Sequence, residues 1–178
     1  FVLSVSQTGE VYAWGDNEFG QLGQGNFSNS NVPLIVPTLT NIKSVATAYN
    51  SSMAVTNSGE VYVWGENLLG QLATGNTAVI NFPFLNSALT NIDTIVAGKN
   101  HFLFLKTDGT VWATGNNVSG QLGQGNYTRS LTAIQVPGLI NIVSIGAGEQ
   151  NSFAIDNTGN LYVWGNNVSG QLGLGDNT

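Results

Sequence analysis

The chain has 178 residues, of which 42% are hydrophobic and only 8% charged, with four basic against ten acidic side chains and a net charge of −6. That length and apolar content support a sizeable core, and so acidic a balance excludes a basic surface for nucleic acid or anionic membrane. With no cysteine and a single histidine, disulfides, thiol catalysis and cysteine-type zinc sites are excluded. Little remains from which to build a histidine metal site or a Ser-His-Asp arrangement.

In chain order, the first landmarks are a turn glycine, Gly9, then Trp14-Gly15, Gly20-Gln21-Leu22 and Gly25. The series returns 50 residues later as Gly59, Trp64-Gly65, Gly70-Gln71-Leu72 and Gly75. It returns again as Gly109, Thr114-Gly115, Gly120-Gln121-Leu122 and Gly125, and finally as Gly159, Trp164-Gly165, Gly170-Gln171-Leu172 and Gly175. A fixed interval of this length marks one supersecondary unit copied in tandem. The array is read as one domain over 1–178, with a partial unit 1–28 followed by 29–78, 79–128 and 129–178.

Within a unit the elements read as strands. "SSMAVT" (51–56) and "EVYVW" (60–64) are β-rich runs joined by Asn57-Ser58-Gly59, a hairpin turn whose glycine takes positive φ. A looser strand is expected near 80–86, and "IDTIVAG" (92–98) makes another after a Thr-Asn turn. No stretch has apolar spacing at the helical period. Four antiparallel strands repeated about every 50 residues describe the blades of an all-β propeller, as a partial or an assembled ring.

The glycines follow from that reading. After the tryptophan strand the chain turns tightly and passes close to other backbone, where a Cβ obstructs. Tyr62 and Trp64 lie two apart, on one strand face, where they fill the gap between stacked sheets. In the third unit the order is Trp112 then Thr114, so the bulk moves two residues along the same face. A phosphate-cradling role for "GQLGQG" is not supported: the segment leads into no helix and has no lysine beside it.

The runs "HFLFLKTDGTVWATGNNVSGQLGQGN" (101–126) and "SFAIDNTGNLYVWGNNVSGQLGLGD" (152–176) resemble the regulator of chromosome condensation repeat family, and the resemblance covers the whole chain. It implies a β-propeller, most often of seven blades, that binds proteins at its rims. Relatives include a guanine-nucleotide exchange factor for the small GTPase Ran and a bacterial inhibitor of β-lactamases. The repeat's histidine is kept at His101 and replaced by Ser51 and Asn151, and Ala73 stands where the other units have glycine. No basic tail and no long inserted loop is present to carry over the exchange activity.

The chain holds about three and a half periods, opening at Phe1 without a methionine or a leader-like run, as a fragment or processed protein does. The preferred expectation is a piece of a longer propeller; self-association through uncapped repeat ends is the alternative.

Strand direction defines two rims. The turns at 57–59 and 107–109 share one; the loops after Trp-Gly (66–79, 116–130) and the "AGKN" corner (97–100) share the other. Units differ most in the second set, so a protein partner is expected there, with Phe19, Phe27, Leu68, Leu69, Tyr127 and Arg129 as anchors. Trp14, Gly15, Gly20, Trp64, Gly65, Gly70, Trp112, Gly115, Gly120, Trp164, Gly165 and Gly170 are assigned to the repeat scaffold. His101 reads as a hydrogen-bonding residue at a strand start. Asp16 and Glu18 are not repeated as a pair, so general acid–base chemistry is not indicated. Asp108-Gly109 and Asp156-Asn157-Thr158-Gly159 are sparse for calcium loops and read as hairpin turns. No catalytic residue, metal ligand or cofactor is assigned, and no membrane insertion, since no apolar run reaches the roughly 18 residues that a spanning helix needs. Sequons at Asn26, Asn50, Asn117, Asn126 and Asn167, with low lysine content, lean towards an extracellular protein.

The leading expectation is a non-enzymatic protein-binding scaffold; a self-assembling structural protein and a GTPase exchange factor are the alternatives.

Overall fold

Alternating β-branched and aromatic residues between glycine-marked turns give strands and nothing else. A computed structural model describes residues 1–177, and among these there is no helix. The first sheet comprises β1 (Val2–Val5), β2 (Val11–Gly15) and β3 (Ser30–Ile35). The second comprises β4 (Ile42–Thr47), β5 (Ser51–Thr56), β6 (Val61–Gly65) and β7 (Ile80–Leu85). The third runs β8 (Ile92–Ala97), β9 (His101–Lys106), β10 (Val111–Gly115) and β11 (Ser130–Gln135). The last is β12 (Ile142–Ala147), β13 (Asn151–Asp156) and β14 (Leu161–Gly165). Every sheet is an antiparallel meander in chain order. These are propeller blades, here called I to IV.

The looser strand expected near 80–86 is β7, and "IDTIVAG" forms β8. β8 opens the next blade rather than completing the one before it, so residues 29–78 supply the outer strand of blade I and the first three strands of blade II. The inner strands line up across blades II to IV, β4 on β8 and β8 on β12, and β4 also packs on β1, the blade I equivalent of β5. Each blade is thereby stitched to its neighbour by covalent continuity as well as by packing.

Period-two alternation sorts the apolar side chains onto the two blade faces. One face of blade II presents Met53, Val55, Val61 and Val63 to Phe102 and Phe104 of blade III, all fully buried. The other face presents Ala54, Tyr62 and Trp64 to Val11, Ala13 and Leu22 of blade I. A third cluster joins Leu103, Val111 and Leu122 of blade III to Ala154 and Trp164 of blade IV.

The indoles are anchored as well as buried. Trp64 Nε1 donates to the Gln21 carbonyl at 2.8 Å, and its cross-strand neighbour Ser52 donates Oγ–H to the same oxygen at 2.7 Å. Trp164 and Ser152 repeat this on the Gln121 carbonyl at 2.9 and 2.8 Å. Blade III departs. Thr114 donates to the Gly70 carbonyl at 3.0 Å, and its cross-strand neighbour is Phe102 where blades II and IV have serine and blade I has Val2. Trp112 stands at the register of Tyr62, so the volume lost at position 114 is restored across the strand by Phe102 and not only two residues along it.

Ala73 belongs to the same adjustment. A methyl group on Gly23 or Gly123 would lie 3.0 Å from the indole nitrogen of Trp64 or Trp164. With Thr114 in place of an indole, a methyl fits at Ala73, although its φ of 56° is left-handed.

Two glycine classes have a steric cause. Gly65 has φ 99°, and a Cβ there would stand 2.9 Å from Ser51 Cα. On Gly20 and Gly70 a Cβ would lie 2.6 Å from Asn81 Cα and Leu131 Cα. The glycine loops of blades I and II cross onto the outer strand of the next blade, where Gly25 and Gly75 N–H donate to the Asn81 and Leu131 carbonyls at 2.8 Å.

Candidate functional site

The loop rim is built on buried asparagines. Asn67 accepts the Leu72 N–H on Oδ1 at 2.9 Å and donates from Nδ2 to the Asn76 carbonyl and Thr74 Oγ1, both at 3.0 Å. Asn117 accepts from Leu122 N–H at 2.9 Å and donates to the Asn126 and Thr128 carbonyls at 3.0 and 2.9 Å. One carboxamide thus ties the start of each loop to its end, with no helix or sheet to do it. Asn17, Asn67 and Asn117 are fully buried and Asn167 nearly so. The sequons at Asn117 and Asn167 therefore fall on amides consumed by the fold, whereas Asn26 and Asn126 are exposed.

The same rim carries the corners before β5, β9 and β13. Glu66, Asn116 and Asn166 N–H groups donate to the carbonyls of Asn50, Asn100 and Gln150, which places corners and loops together. Tyr49 N–H donates to Lys99 O at 2.9 Å, and Lys99 N–H to Glu149 O at 3.0 Å. Lys99 Nζ meets Glu149 Oε1 at 2.6 Å and lies 5.7 Å from the Tyr49 ring centroid. The hydrogen bond and charge of Glu149 raise the Lys99 pKa above its usual value. This ladder crosses three blades at residue intervals of one repeat, and sequence reading noticed only its "AGKN" member. The opposite rim has a shorter counterpart in Lys43 Nζ and Asp93 Oδ1 at 2.7 Å.

The expected anchors separate into groups. Arg129 Nη1 donates to the Leu68 carbonyl at 3.2 Å, which brings blade III's loop against blade II's. Leu68 is 53% exposed, while Leu69 is half-buried with its N–H on Gln71 Oε1 at 2.9 Å. Phe19 is the half-buried equivalent in blade I, bonded likewise to Gln21 Oε1. Phe27 and Tyr127 are exposed at the same loop position two blades apart, Tyr127 at 74%, with its ring 3.7 Å from where a Gly120 Cβ would stand. Val118, Val168 and Tyr49 are exposed apolar tips that sequence reasoning passed over. Their signal was present: positions 68, 118 and 168 are all aliphatic in a loop with no packing role.

The ionisable groups serve the scaffold. Asp16 Oδ2 accepts from Gln21 Nε2 at 3.0 Å, and Glu66 Oε2 from Asn50 Nδ2 at 2.9 Å. Asp156 accepts from Asn160 and Thr158, side chain and backbone, and from Tyr162 Oη. Those bonds, Asn160's foremost, hold its carboxyl well below the usual range, so its oxygens are spent on the β13–β14 hairpin. His101 begins β9, fully buried, with Nε2 3.0 Å from Ser152 Oγ. Because Ser152 gives its own proton to Gln121 O, the imidazole must donate from Nε2 and hold Nδ1 bare. Burial lowers its pKa to about 4, so it is neutral at pH 7. Among the described residues, no group of three or more His, Asp or Glu side chains is placed to hold a metal ion.

This geometry has known counterparts. Two models of the regulator of chromosome condensation (RCC1) repeat match, one at residues 8–55, 58–105 and 108–155, the other at 42–71, 92–121 and 142–171. The structure of human WBSCR16 superposes with a TM-score of 0.87 at 26% identity, over 98% of this chain and 48% of that one. Prp20p from Saccharomyces cerevisiae, studied for its binding to Gsp1p and histones, gives 0.85 at 24%, over 98% of this chain and 45% of that one. Yeast RCC1 (Prp20) with Kap60 bound gives 0.84 at 24%, over 97% of this chain and 43% of that one. Among curated sequences, the E3 ubiquitin-protein ligase HERC2 of Homo sapiens is 42% identical over 53 residues, which is 30% of this chain and 1% of HERC2. The chain spans less than half the length of these solved structures and a small fraction of HERC2. The shared fold is an RCC1-like propeller.

Proposed function

The chain belongs to the regulator of chromosome condensation (RCC1) repeat family, and from that premise we propose that it is a non-enzymatic scaffold whose loop rim binds a protein. The observation carrying this reading is the set of exposed apolar tips, Phe27, Tyr49, Leu68, Val118, Tyr127 and Val168, each more than half exposed. Apart from Tyr49, which stands on the corner before β5, they lie on loops tied by the buried asparagines, so binding costs little ordering entropy. Separate apolar tips over a low-charge polar rim are the composition of a protein-binding surface. Two solved relatives are described with protein partners, Kap60 in one case and Gsp1p and histones in the other.

The test compares affinity captures by the wild-type chain, a Leu68→Asp/Tyr127→Asp rim variant, and an opposite-rim control, Asn57→Asp. Proteins held by the wild type and the control but lost by the rim variant support the reading. A recovered set indifferent to the rim variant defeats it. Exchange-factor activity rests on membership of the family alone, and stimulated nucleotide release from a panel of small GTPases is its measurement. Self-association is a second reading, favoured by the exposed apolar face of blade IV, where Phe153 and Leu161 are 41% and 62% exposed. An extracellular setting suits the acidic, cysteine-free composition, and fractionation of producing cells checks it.

A further inference from the structure

Blade II carries a cleft that its neighbours fill. In blade I, Gln24 donates from Nε2 to two carbonyls, Leu22 O at 3.3 Å and Ile35 O at 3.0 Å. In blade III, Gln124 does the same to Leu122 O at 3.2 Å and Gln135 O at 2.8 Å. The blade II counterpart is Thr74, whose short side chain is engaged with Asn67 and Asn76. Asn86, standing where the other blades have Val36 and Val136, supplies half of what is missing by donating to Leu72 O at 3.1 Å. The other acceptor, Leu85 O, receives no side-chain donor among the described residues. Its neighbours Phe84 and Asn86 both line a cavity of about 560 Å³ that also includes Val79, Phe82, Ala88 and Thr132.

The walls are mostly apolar, with asparagine, serine and threonine side chains among them, and no ionisable residue lines the space. Phe82 and Phe84, two apart on β7, are 52% and 43% exposed. Their counterparts are Val32 and Leu34 in blade I, and Thr132 and Ile134 in blade III, so the aromatic pair is peculiar to this cleft. The volume falls within the range of about 300–1,000 Å³ usual for ligand sites. What blades I and III place here is on display: a carboxamide N–H delivered to the strand-end carbonyl.

We propose that this outer cleft is a binding site for a short uncharged peptide segment, with an apolar side chain against Phe82 and Phe84 and an amide N–H donated to Leu85 O. A charged ligand is disfavoured, because nothing there compensates its desolvation. The cleft borders the loop rim, sharing residues 73–76 and 78–79 of its blade II loop, but none of the exposed tips lines it, and neither reading depends on the other.

The substitution that distinguishes a site from a surface irregularity is Thr74→Gln, which installs the plug that blades I and III already carry. The experiment titrates the 178-residue chain with N-acetyl-L-phenylalaninamide and follows backbone amides by ¹⁵N NMR. Saturable shifts at millimolar probe are expected at Ala73, Asn86, Ala88 and Thr132, with N-acetyl-L-phenylalanine, which carries a carboxylate, binding at least about tenfold more weakly. Thr74→Gln is expected to abolish those shifts; because Thr74 Oγ1 also accepts from Asn67 Nδ2 at 3.0 Å, local changes at the Asn67 and Asn76 amides accompany it, while amides of the other blades stay in place. Phe84→Leu, the residue of blade I, is expected to weaken binding several-fold and serves if Thr74→Gln folds poorly. Absence of saturable shifts at tens of millimolar, shifts located elsewhere, or binding that survives both substitutions overturns the proposal.

Discussion

His101 shows how a single buried group sets a pH limit on this fold. Its imidazole is fully buried, donates to Ser152, and stands against the backbone of Gly98, with no other titratable side chain among its hydrogen-bond partners. Its folded pKa is about 4 against an ordinary 6.5, so in this interval the unfolded chain binds a proton that the folded chain refuses. Stability is therefore complete above pH 6.5 and falls as the pH drops towards 4, by roughly 3 kcal/mol over the interval. Denaturant unfolding at stepped pH checks this, and His101→Asn is expected to flatten that part of the profile. The clamp asparagines act at the same scale. Asn117→Ala leaves the buried Leu122 N–H without its partner and frees the carbonyls of the exposed Asn126 and Thr128, and is expected to cost roughly 1–3 kcal/mol in the same assay. Asn117 recurs at the repeat interval, whereas His101 is the chain's single histidine, read from sequence only as a hydrogen-bonding residue at a strand start. Its partner was not legible, because a hydrogen bond to a residue 51 positions away along the chain has no local signature.

At the scale of the strand and the blade, three departures from the repeat are one event. Thr114 replaces an indole, Phe102 replaces the serine opposite it, and Ala73 replaces the glycine over which that indole would lie. Restoring tryptophan alone sets it against both the Ala73 methyl and the Phe102 ring, and overpacking of this kind costs about 1–3 kcal/mol. Thr114→Trp is thus expected to be destabilising, while Thr114→Trp with Ala73→Gly and Phe102→Ser returns to near wild-type stability, with the restored indole N–H donating to the Gln71 carbonyl. Additive losses across the three sites would show that the substitutions are independent. Here the limits of sequence reading are concrete. The strands, the turn glycines and the tryptophan period were legible because each is a local necessity repeated along the chain. The coupling was not, since Ala73, Phe102 and Thr114 sit on two blades, and only the stacked sheets bring them together. The rim was legible as variable loops; the Tyr49–Lys99–Glu149 ladder needed the register of three corners at once.

For the 178-residue chain as it stands, assembly turns on the flat faces of the blades and not on their rims. Phe153, Ile155 and Leu161 of blade IV occupy the repeat positions of Met53, Val55 and Val61, which are fully buried between blades II and III. In this chain the blade IV residues are 41%, 36% and 62% exposed. The partner that such a face fits is written into the molecule: blade I presents Tyr12 and Trp14 at the positions of Tyr62 and Trp64, half-buried where Trp64 is fully buried. Stacking blade IV of one copy on blade I of another reproduces part of an internal interface, since blade I is described without a counterpart of β4 and blade IV without a counterpart of β7, and head-to-tail contacts of this type close into rings or extend as filaments. The exposed ladder charges contribute little to holding such an assembly, since solvent screens them; apolar burial has to carry it. The 178-residue chain is accordingly expected to sediment as concentration-dependent oligomers, and Phe153→Asp with Leu161→Asp to shift it towards monomer without altering the unfolding midpoint of the other blades. A wild-type chain that stays monodisperse and monomeric as its concentration rises would refute the stacking argument while leaving the rim reading intact.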